Sequence, residues 1–273
     1  MRLRCFWLLL MLAPLAFGQG PVVADNGVLN AASFAKQGQP GAAVTPGSLV
    51  AIFGTNFATS LAQADTIPLS TTLNNVSVSF NDVSAPLLFV AQAQINAQLP
   101  WNVLPADASS GTATVVVTSS GVASPPRTIQ IGQFSPGIFT VNGNGIGFAI
   151  AVNVNDGTLA QPVGSVAGLN PAPHPASVGG AIIIYCTGLG PVDPPVVNGT
   201  NSLDTLRNTT TKPDVLIDGI PAQVLFSGLS PHFVGVNQVN VVVPPGVRKA
   251  DGVPLQIRIG GITSSNLVTI AVQ

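Results

Sequence analysis

Histidine and cysteine are the side chains best suited to bind a transition metal, and this chain of 273 residues holds two of each. His174, His232 and Cys186 lie far apart along the sequence, and the fourth, Cys5, lies near its start. A structural zinc site needs such residues in closely spaced pairs. The sequence therefore predicts no metal site.

The sequence also gives little support for covalent or acid–base catalysis. A hydrolase nucleophile elbow needs Gly-x-Ser-x-Gly on a turn, and the nearest match, Pro175–Gly179, lacks the first glycine. A glycosidase needs two carboxylates across a cleft, but the aspartates are scattered and no pair stands out. Asn153–Gly157 lacks the paired carboxylates of a calcium loop, so we interpret it as a hairpin turn. We predict no catalytic residue, no cofactor and no enzymatic activity.

The densest group of polar side chains lies between Gly190 and Pro213, a stretch that is long for this chain. Loops on a rigid scaffold are common positions for binding residues. One hypothesis is therefore a binding loop, and the alternative is a solvated connection without a role. The candidate residues are Asp193, Asn198, Asn201, Asp204, Arg207 and Asn208.

Exposed aromatic residues would indicate a carbohydrate platform. Beyond residue 18 the chain has one tryptophan, Trp101, and one tyrosine, Tyr185. Trp101 follows an apolar run that ends at Leu99–Pro100, and we interpret it as a cap on the edge of a core. Tyr185 ends the run Ile182–Tyr185, which is expected to be buried. Carbohydrate binding stays open as an alternative.

Residues 1–18 have the pattern of a secretory signal peptide. Arg2 and Arg4 precede the apolar run Cys5–Ala13, and Ala16–Gly18 supplies small residues for cleavage before Gln19. The apolar run is much shorter than the roughly 20 residues that a membrane span needs. We therefore predict an exported protein, periplasmic, extracellular or at the cell surface, with no membrane span after cleavage.

The composition favours strands and turns. The chain has no glutamate, few lysines and a net charge of −1. Glutamate and lysine are good formers of exposed helices, and their scarcity argues against such helices. The absence of a basic patch excludes nucleic acid as a partner. Cys186 is the only cysteine after residue 18, so no internal disulfide is expected, and we interpret it as a buried, inert thiol.

The chain contains the same pattern twice. Three blocks recur in one order with growing offsets, which places insertions in loops of the second copy. The blocks and their copies are Gly47–Phe57 and Gly179–Leu189, Asn81–Phe89 and Asp218–Phe226, and Gln94–Pro100 and Gln238–Pro244. The twin Asn96 and Asn240 are expected to be buried and to bond backbone. In the first block, Cys186 takes the position of Gly54.

Several stretches outside these blocks alternate apolar and polar residues, as in Val76–Phe80 and Val253–Ile259. Many short strands with frequent turns indicate sandwiches. The predicted fold is all-β, with two tandem immunoglobulin-like β-sandwiches at residues 19–132 and 133–273. The second sandwich is expected to carry extra hairpins and longer loops.

Several segments together resemble the Solibacter uncharacterized C-terminal domain, which is abundant in exported proteins of soil Acidobacteria. The resemblance implies export and a β-rich fold, and it implies no known activity. Each half also resembles an IPT/TIG immunoglobulin-like domain, in which a strand typically ends in Gly-x-Asn-Phe, as Gly54–Phe57 does; the second copy departs from this at Cys186–Leu189. The segments are Asn30–Phe34, Pro46–Phe57, Ala85–Val90 and Gly188–Val192.

These observations predict a non-enzymatic exported interaction or structural module. Its partner would be an unknown protein or a polysaccharide, and not a nucleic acid. An accessory carbohydrate-binding module is the alternative function. A hydrolase with an unrecognised site is the third.

Overall fold

The computed structural model describes residues 19–105 and 107–273, and the signal peptide predicted at residues 1–18 lies outside them. The described ranges contain strands and turns and no helix. The strands are β1 Val22–Asn30, β2 Leu49–Thr55, β3 Ala62–Gln63, β4 Thr72–Leu73, β5 Val76–Phe80, β6 Val83–Ser84, β7 Leu87–Val90, β8 Gln94–Gln98, β9 Gly111–Ser119, β10 Val122–Ala123, β11 Arg127–Ile131, β12 Gly137–Ile138, β13 Gly147–Phe148, β14 Ala151–Asn153, β15 Ala181–Thr187, β16 Val192–Asp193, β17 Asn208–Thr209, β18 Asp214–Ile217, β19 Ile220–Leu229, β20 Asn237–Val242, β21 Ala250–Ile259, β22 Ile262–Thr263 and β23 Val268–Val272.

The first sandwich contains β1 to β11. One sheet has the order β1-β2-β8-β7-β3, and the other has the order β10-β9-β5-β4, with β11 on β9 and β6 on β5. The apolar residues that alternate along these strands meet between the sheets, where Ile52, Phe80 and Leu87 are fully buried. The first core extends along the chain from Val23 to Ile131.

The second sandwich contains β12 to β23, and one of its strands belongs to both sheets. The beginning of β19, Ile220–Ala222, pairs with β18, and the remainder, Gln223–Leu229, pairs with β20. Eight strands therefore form one continuous path, β12-β15-β20-β19-β18-β21-β23-β13, and the short strands β14, β16, β17 and β22 pair beside it. In the first sandwich, Ala85–Pro86 separate the equivalent strands β6 and β7. The second core extends from Phe134 to Val272.

The internal duplication is confirmed at the level of strand register. Leu49 of β2 lies opposite Gln98 of β8, and the copies Ala181 and Val242 lie opposite each other in β15 and β20. The next strand pair, β7–β8 and its copy β19–β20, has a register shift at the same place in each sandwich. Both halves are thus immunoglobulin-like sandwiches in tandem, as predicted.

Two expectations about burial are wrong. Asn96 and Asn240 are half-buried, and their side-chain oxygens accept hydrogen bonds from the amides of Gln94 and Gln238 instead of meeting backbone. Alternate residues of a strand point to opposite faces of the sheet, and these positions lie on the outer face. Tyr185 lies on an outer face for the same reason and is half-buried.

Cys186 is fully buried in the second core. Burial disfavours the thiolate and raises the pKa of the Cys186 thiol, which agrees with an inert structural residue. At the equivalent position in the first sandwich, a Cβ on Gly54 would overlap the ring of Phe57 and the carbonyl oxygen of Val22. The second sandwich has Leu189 in place of Phe57.

Within residues 19–105 and 107–273, no helix has the length and apolar content needed to cross a membrane.

Candidate functional site

The two sandwiches meet at a joint whose centre is Asn30, the last residue of β1. Its side-chain oxygen accepts hydrogen bonds from the backbone nitrogens of Ala32 and Ser33, at 2.8 and 3.0 Å. Its side-chain nitrogen donates to the carbonyl oxygen of Ser135 at 2.7 Å. Asn30 is 1% exposed. One buried amide therefore forms a turn in the first sandwich and holds the first residues of the second.

Glycines allow the backbones to approach closely at this joint. A Cβ on Gly137 would overlap the side-chain oxygen of Asn30, and a Cβ on Gly188 would overlap the carbonyl oxygen of Ser135. Gly188 also has a φ of 83°, which favours glycine. Asn30 and Gly188 lie far apart in sequence, and the joint brings their segments together.

A second set of contacts joins β2 to the second sandwich. The backbone nitrogen of Leu49 donates to Thr187 Oγ1 at 3.0 Å, and this hydroxyl donates to the carbonyl oxygen of Gly235 at 2.7 Å. Thr187 is fully buried. A Cβ on Gly235 would lie 2.8 Å from the Leu49 side chain. The outer face of β2 is therefore covered, which explains why Leu49 is buried on that face.

The polar stretch predicted as a binding loop contacts the first sandwich. The side-chain oxygen of Asn198 accepts a hydrogen bond from the backbone nitrogen of Trp101 at 2.8 Å, and its nitrogen donates to the Asn102 side chain at 2.9 Å. The next residue, Gly199, donates to Gln98 Oε1 at 2.7 Å. This part of the stretch is a contact between domains and not a free surface loop.

The remaining candidate residues are spread over the same stretch. Asp193 and Asn208 lie opposite each other in the short pair β16–β17, and both are exposed. Asn201 is half-buried. Asp204 is exposed and forms an ion pair with Arg207 at 2.6 Å. The structure does not bring the six residues into one cluster, and their role in binding stays a prediction.

Arg207 is the best anchored of these residues. It is 7% exposed, and its guanidinium donates to both carboxylate oxygens of Asp204, to the Ser202 hydroxyl and to the carbonyl oxygen of Pro195. Hydrogen bonds from Arg207 hold the pKa of the Asp204 carboxyl at about 2. Arg207 therefore fixes the path of the chain from Pro195 to Asp204.

A cleft of about 480 Å³ opens where Trp101 meets the joint, and we call it the Trp101 cleft. The first sandwich supplies most of its walls, and the second contributes Gln133, Gly190 and Pro191. A Cβ on Gly47 would overlap the indole of Trp101, so the ring packs directly on the backbone there. The walls are formed by Thr45, Pro46, Trp101, Asn102, Leu104, Pro105, Asp107, Ala108, Ser109, Gln133, Gly190 and Pro191.

Leu49 lines a second, apolar depression of about 400 Å³. Phe233 is exposed there, and its ring meets that of Tyr185 edge-on with centroids 6.3 Å apart. Phe139, Ile150 and Val236 complete the lining. The depression offers hydrophobic contact and almost no hydrogen bonding.

His174 has a partner that the sequence did not reveal. Its Nε2 lies 2.6 Å from Asp156 Oδ2, and its Nδ1 lies 2.8 Å from the carbonyl oxygen of Pro175. The hydrogen bond to Asp156 raises the pKa of His174, and the same bond holds the pKa of Asp156 at about 2. Both ring nitrogens of His174 therefore have partners, whereas His232 is exposed.

No group of three or more histidine, cysteine or acidic residues that could hold a metal ion occurs in the described ranges. The Asp156–His174 pair has a hydroxyl neighbour, Thr158, which donates to the other carboxylate oxygen of Asp156, Oδ1, at 2.7 Å. This hydroxyl bonds the acid and not the imidazole, so the three groups lack the order of a nucleophile–base–acid relay.

Comparison with known proteins identifies the first sandwich. Residues 39–131 match the family of IPT/TIG domains. The match covers most of the first sandwich, which has the Gly54–Phe57 strand end noted in the sequence. No curated protein sequence matches the chain. None of the comparisons indicates an enzyme family.

Solved structures of tandem domains are similar to this chain only remotely. Domains 5–6 of the S-layer protein SbsC share 11% identity, with a TM-score of 0.24, over 92% of this chain and 98% of that one. The I9–I11 tandem of titin shares 8%, with a TM-score of 0.20, over 84% and 62%. Tandem Ig repeats of Dlar share 9%, with a TM-score of 0.20, over 93% and 99%.

Sequence reasoning found the two immunoglobulin-like halves and placed their joint near Phe134–Phe139, but it missed the contacts that hold them together. Asn30 was noted only as part of a resemblance, and Thr187 only as part of a repeat. Their contacts join residues that are 105 and 138 positions apart. The sequence does contain one signal of this difference. Thr187 is the copy of Thr55, but Gly188 follows Thr187 where Asn56 follows Thr55.

Proposed function

We propose that the chain is an exported, non-enzymatic interaction or structural module in which two domains, residues 19–132 and 133–273, act as one rigid body. The joint is the observation that supports this proposal. Buried hydrogen bonds of Asn30 and Thr187 connect the domains, and the glycines around them permit backbone contact. Domains that move independently would leave these groups without partners, which is costly for buried polar atoms.

Membership of the Solibacter C-terminal domain family is part of the same proposal. The joint supports it because the Asn30–Phe34 and Gly188–Val192 segments meet there, although they are far apart in sequence. The proposal includes export to the periplasm, the cell surface or the medium. The signal-peptide pattern supports it, with two arginines before an apolar run and a cleavage site before Gln19. The partner would be a protein or a polysaccharide.

Fractionation of cells that express the full chain tests the proposal. We expect the protein outside the cytoplasm with Gln19 at its N-terminus by mass spectrometry. The purified protein should give no turnover with ester, glycoside and peptide substrates. Cytoplasmic protein that keeps residues 1–18 would refute export. Turnover that survives repurification would refute the non-enzymatic role.

A further inference from the structure

We propose that the Trp101 cleft binds a neutral saccharide. This proposal rests on the role proposed above and deepens it, because it names the ligand class and the site that would bind it. The volume of about 480 Å³ lies within the range of roughly 300–1,000 Å³ that is typical of small-molecule sites. Such sites also occur preferentially where two domains meet.

Trp101 supplies the apolar wall that a sugar ring needs. The indole packs against the backbone at Gly47, which holds it in place. The residue remains half-buried and lines the cleft with the rest of its surface. The face of an indole carries negative charge density, and the C–H groups of a pyranose ring are weakly positive. A held tryptophan at a cleft wall therefore favours a sugar over a fully polar ligand.

Polar side chains surround this wall with the groups that sugar hydroxyls bond. Asn102 and Gln133 offer amides, Asp107 a carboxylate and Ser109 a hydroxyl, and all four are exposed. Hydroxyl groups both donate and accept, so they match such a mixture of groups. Among the described residues that line the cleft, Asp107 carries the only formal charge. This negative charge favours a neutral saccharide over an anionic one.

Calorimetric titration of the full-length protein with defined hexasaccharides tests the proposal. Cellohexaose, xylohexaose and N-acetylchitohexaose are the neutral probes, and hexagalacturonic acid is the anionic one. We expect saturable binding of at least one neutral probe and none of the anionic probe. Trp101→Ala should weaken the binding at least tenfold. Phe233→Ala removes an exposed aromatic residue from the other depression and should leave the affinity unchanged.

A second variant covers the case in which Trp101→Ala fails to fold. Asp107→Ala with Ser109→Ala changes only exposed side chains and should weaken binding at least threefold with an unchanged melting temperature. Absence of saturable binding with all three neutral probes would overturn the proposal. Binding that both cleft variants retain in full, or binding of hexagalacturonic acid alone, would overturn it as well.

Discussion

The side chain of Asn30 divides its hydrogen bonds between two domains: its oxygen serves Ala32 and Ser33, and its nitrogen serves Ser135. Asn266 has a similar role within the second sandwich, where its nitrogen donates to the carbonyl oxygen of Ile138 at 2.7 Å. Side-chain amides are suited to this because they donate and accept at once. A single asparagine can thus join two backbone segments that are not paired with each other as strands.

The stability of the protein depends on pH through the ion pair of His174 with Asp156. The pKa of His174 is raised in the folded state, so its contribution is complete below about pH 6.5 and is lost as the pH rises through the raised value. The pKa of Asp156 is held at about 2, so its contribution is present above about pH 4 and is lost only toward pH 2. The pair therefore stabilises the fold between about pH 4 and 6.5.

We predict that His174→Asn lowers the melting temperature at pH 5.5 and has a much smaller effect at pH 8.5. The charged imidazole can donate from both ring nitrogens, to Asp156 and to Pro175, whereas the neutral ring cannot. Thermal melts of both proteins across this range measure the difference. His232→Asn is the matched control, since His232 is exposed and has no carboxylate partner among the described residues. An equal effect of His174→Asn at both pH values would contradict the prediction.

At the scale of elements, two residues hold the stretch from Pro191 to Pro213 in place, Asn198 in its first half and Arg207 in its second. The backbone oxygen of Arg207 also accepts a hydrogen bond from Leu229 of β19. The stretch is therefore fastened to the second sandwich through β19 and to the first through Trp101. This stretch, which is longer than its counterpart in the first copy, therefore connects the two domains.

We predict that Arg207→Met destabilises the protein by about 1–3 kcal/mol, because Ser202 and the carbonyl of Pro195 lose their buried donor. Asp204→Asn should destabilise the protein much less than Arg207→Met, because the Asp204 side chain is 66% exposed and water replaces the ion pair. Urea unfolding of both variants measures the two values. Equal, small losses would show that Arg207 acts only as the partner of Asp204.

The sequence predicted the strands well where apolar residues alternate, and it predicted the duplication from three blocks. It missed a fourth block, in which Ser124 and Ser264 each accept a hydrogen bond from the strand before them, at Val117 and Ile257. The surrounding residues differ in the two copies, and only the turn and the serine are kept. A hydroxyl that bonds backbone leaves little trace in hydrophobic pattern.

At the scale of the whole molecule, the contacts between the sandwiches could not be predicted from pattern. Alternation indicates which face of a strand is buried, but it does not indicate that Leu49 on the other face is covered by the Gly235 loop. The candidate loop was identified by its polarity, whereas its structure depends on hydrogen bonds to Gln98 and Trp101. Such long-range pairs form only when both domains are in place.

We predict that the full chain unfolds in a single calorimetric transition. Asn30→Ala should lower the stability by about 1–3 kcal/mol, because Ser135 loses its donor and two backbone nitrogens lose their acceptor. The same variant should separate the transition into two, since the joint couples the domains. Asn144→Ala is the matched control, as Asn144 is exposed and its side-chain oxygen accepts from the nearby backbone nitrogen of Ile146. Two transitions in the unmodified protein would show that the domains are not coupled.

Thr55 and Thr187 occupy the same register position in the two copies, yet Thr55 is exposed and Thr187 is fully buried in the joint. After a duplication, one threonine has thus become part of an interface that a single copy does not have. A cut between the two sandwiches would leave Thr187 without Leu49 and Asn30 without Ser135. Either half alone would therefore present, on its cut face, polar groups that are buried in the pair.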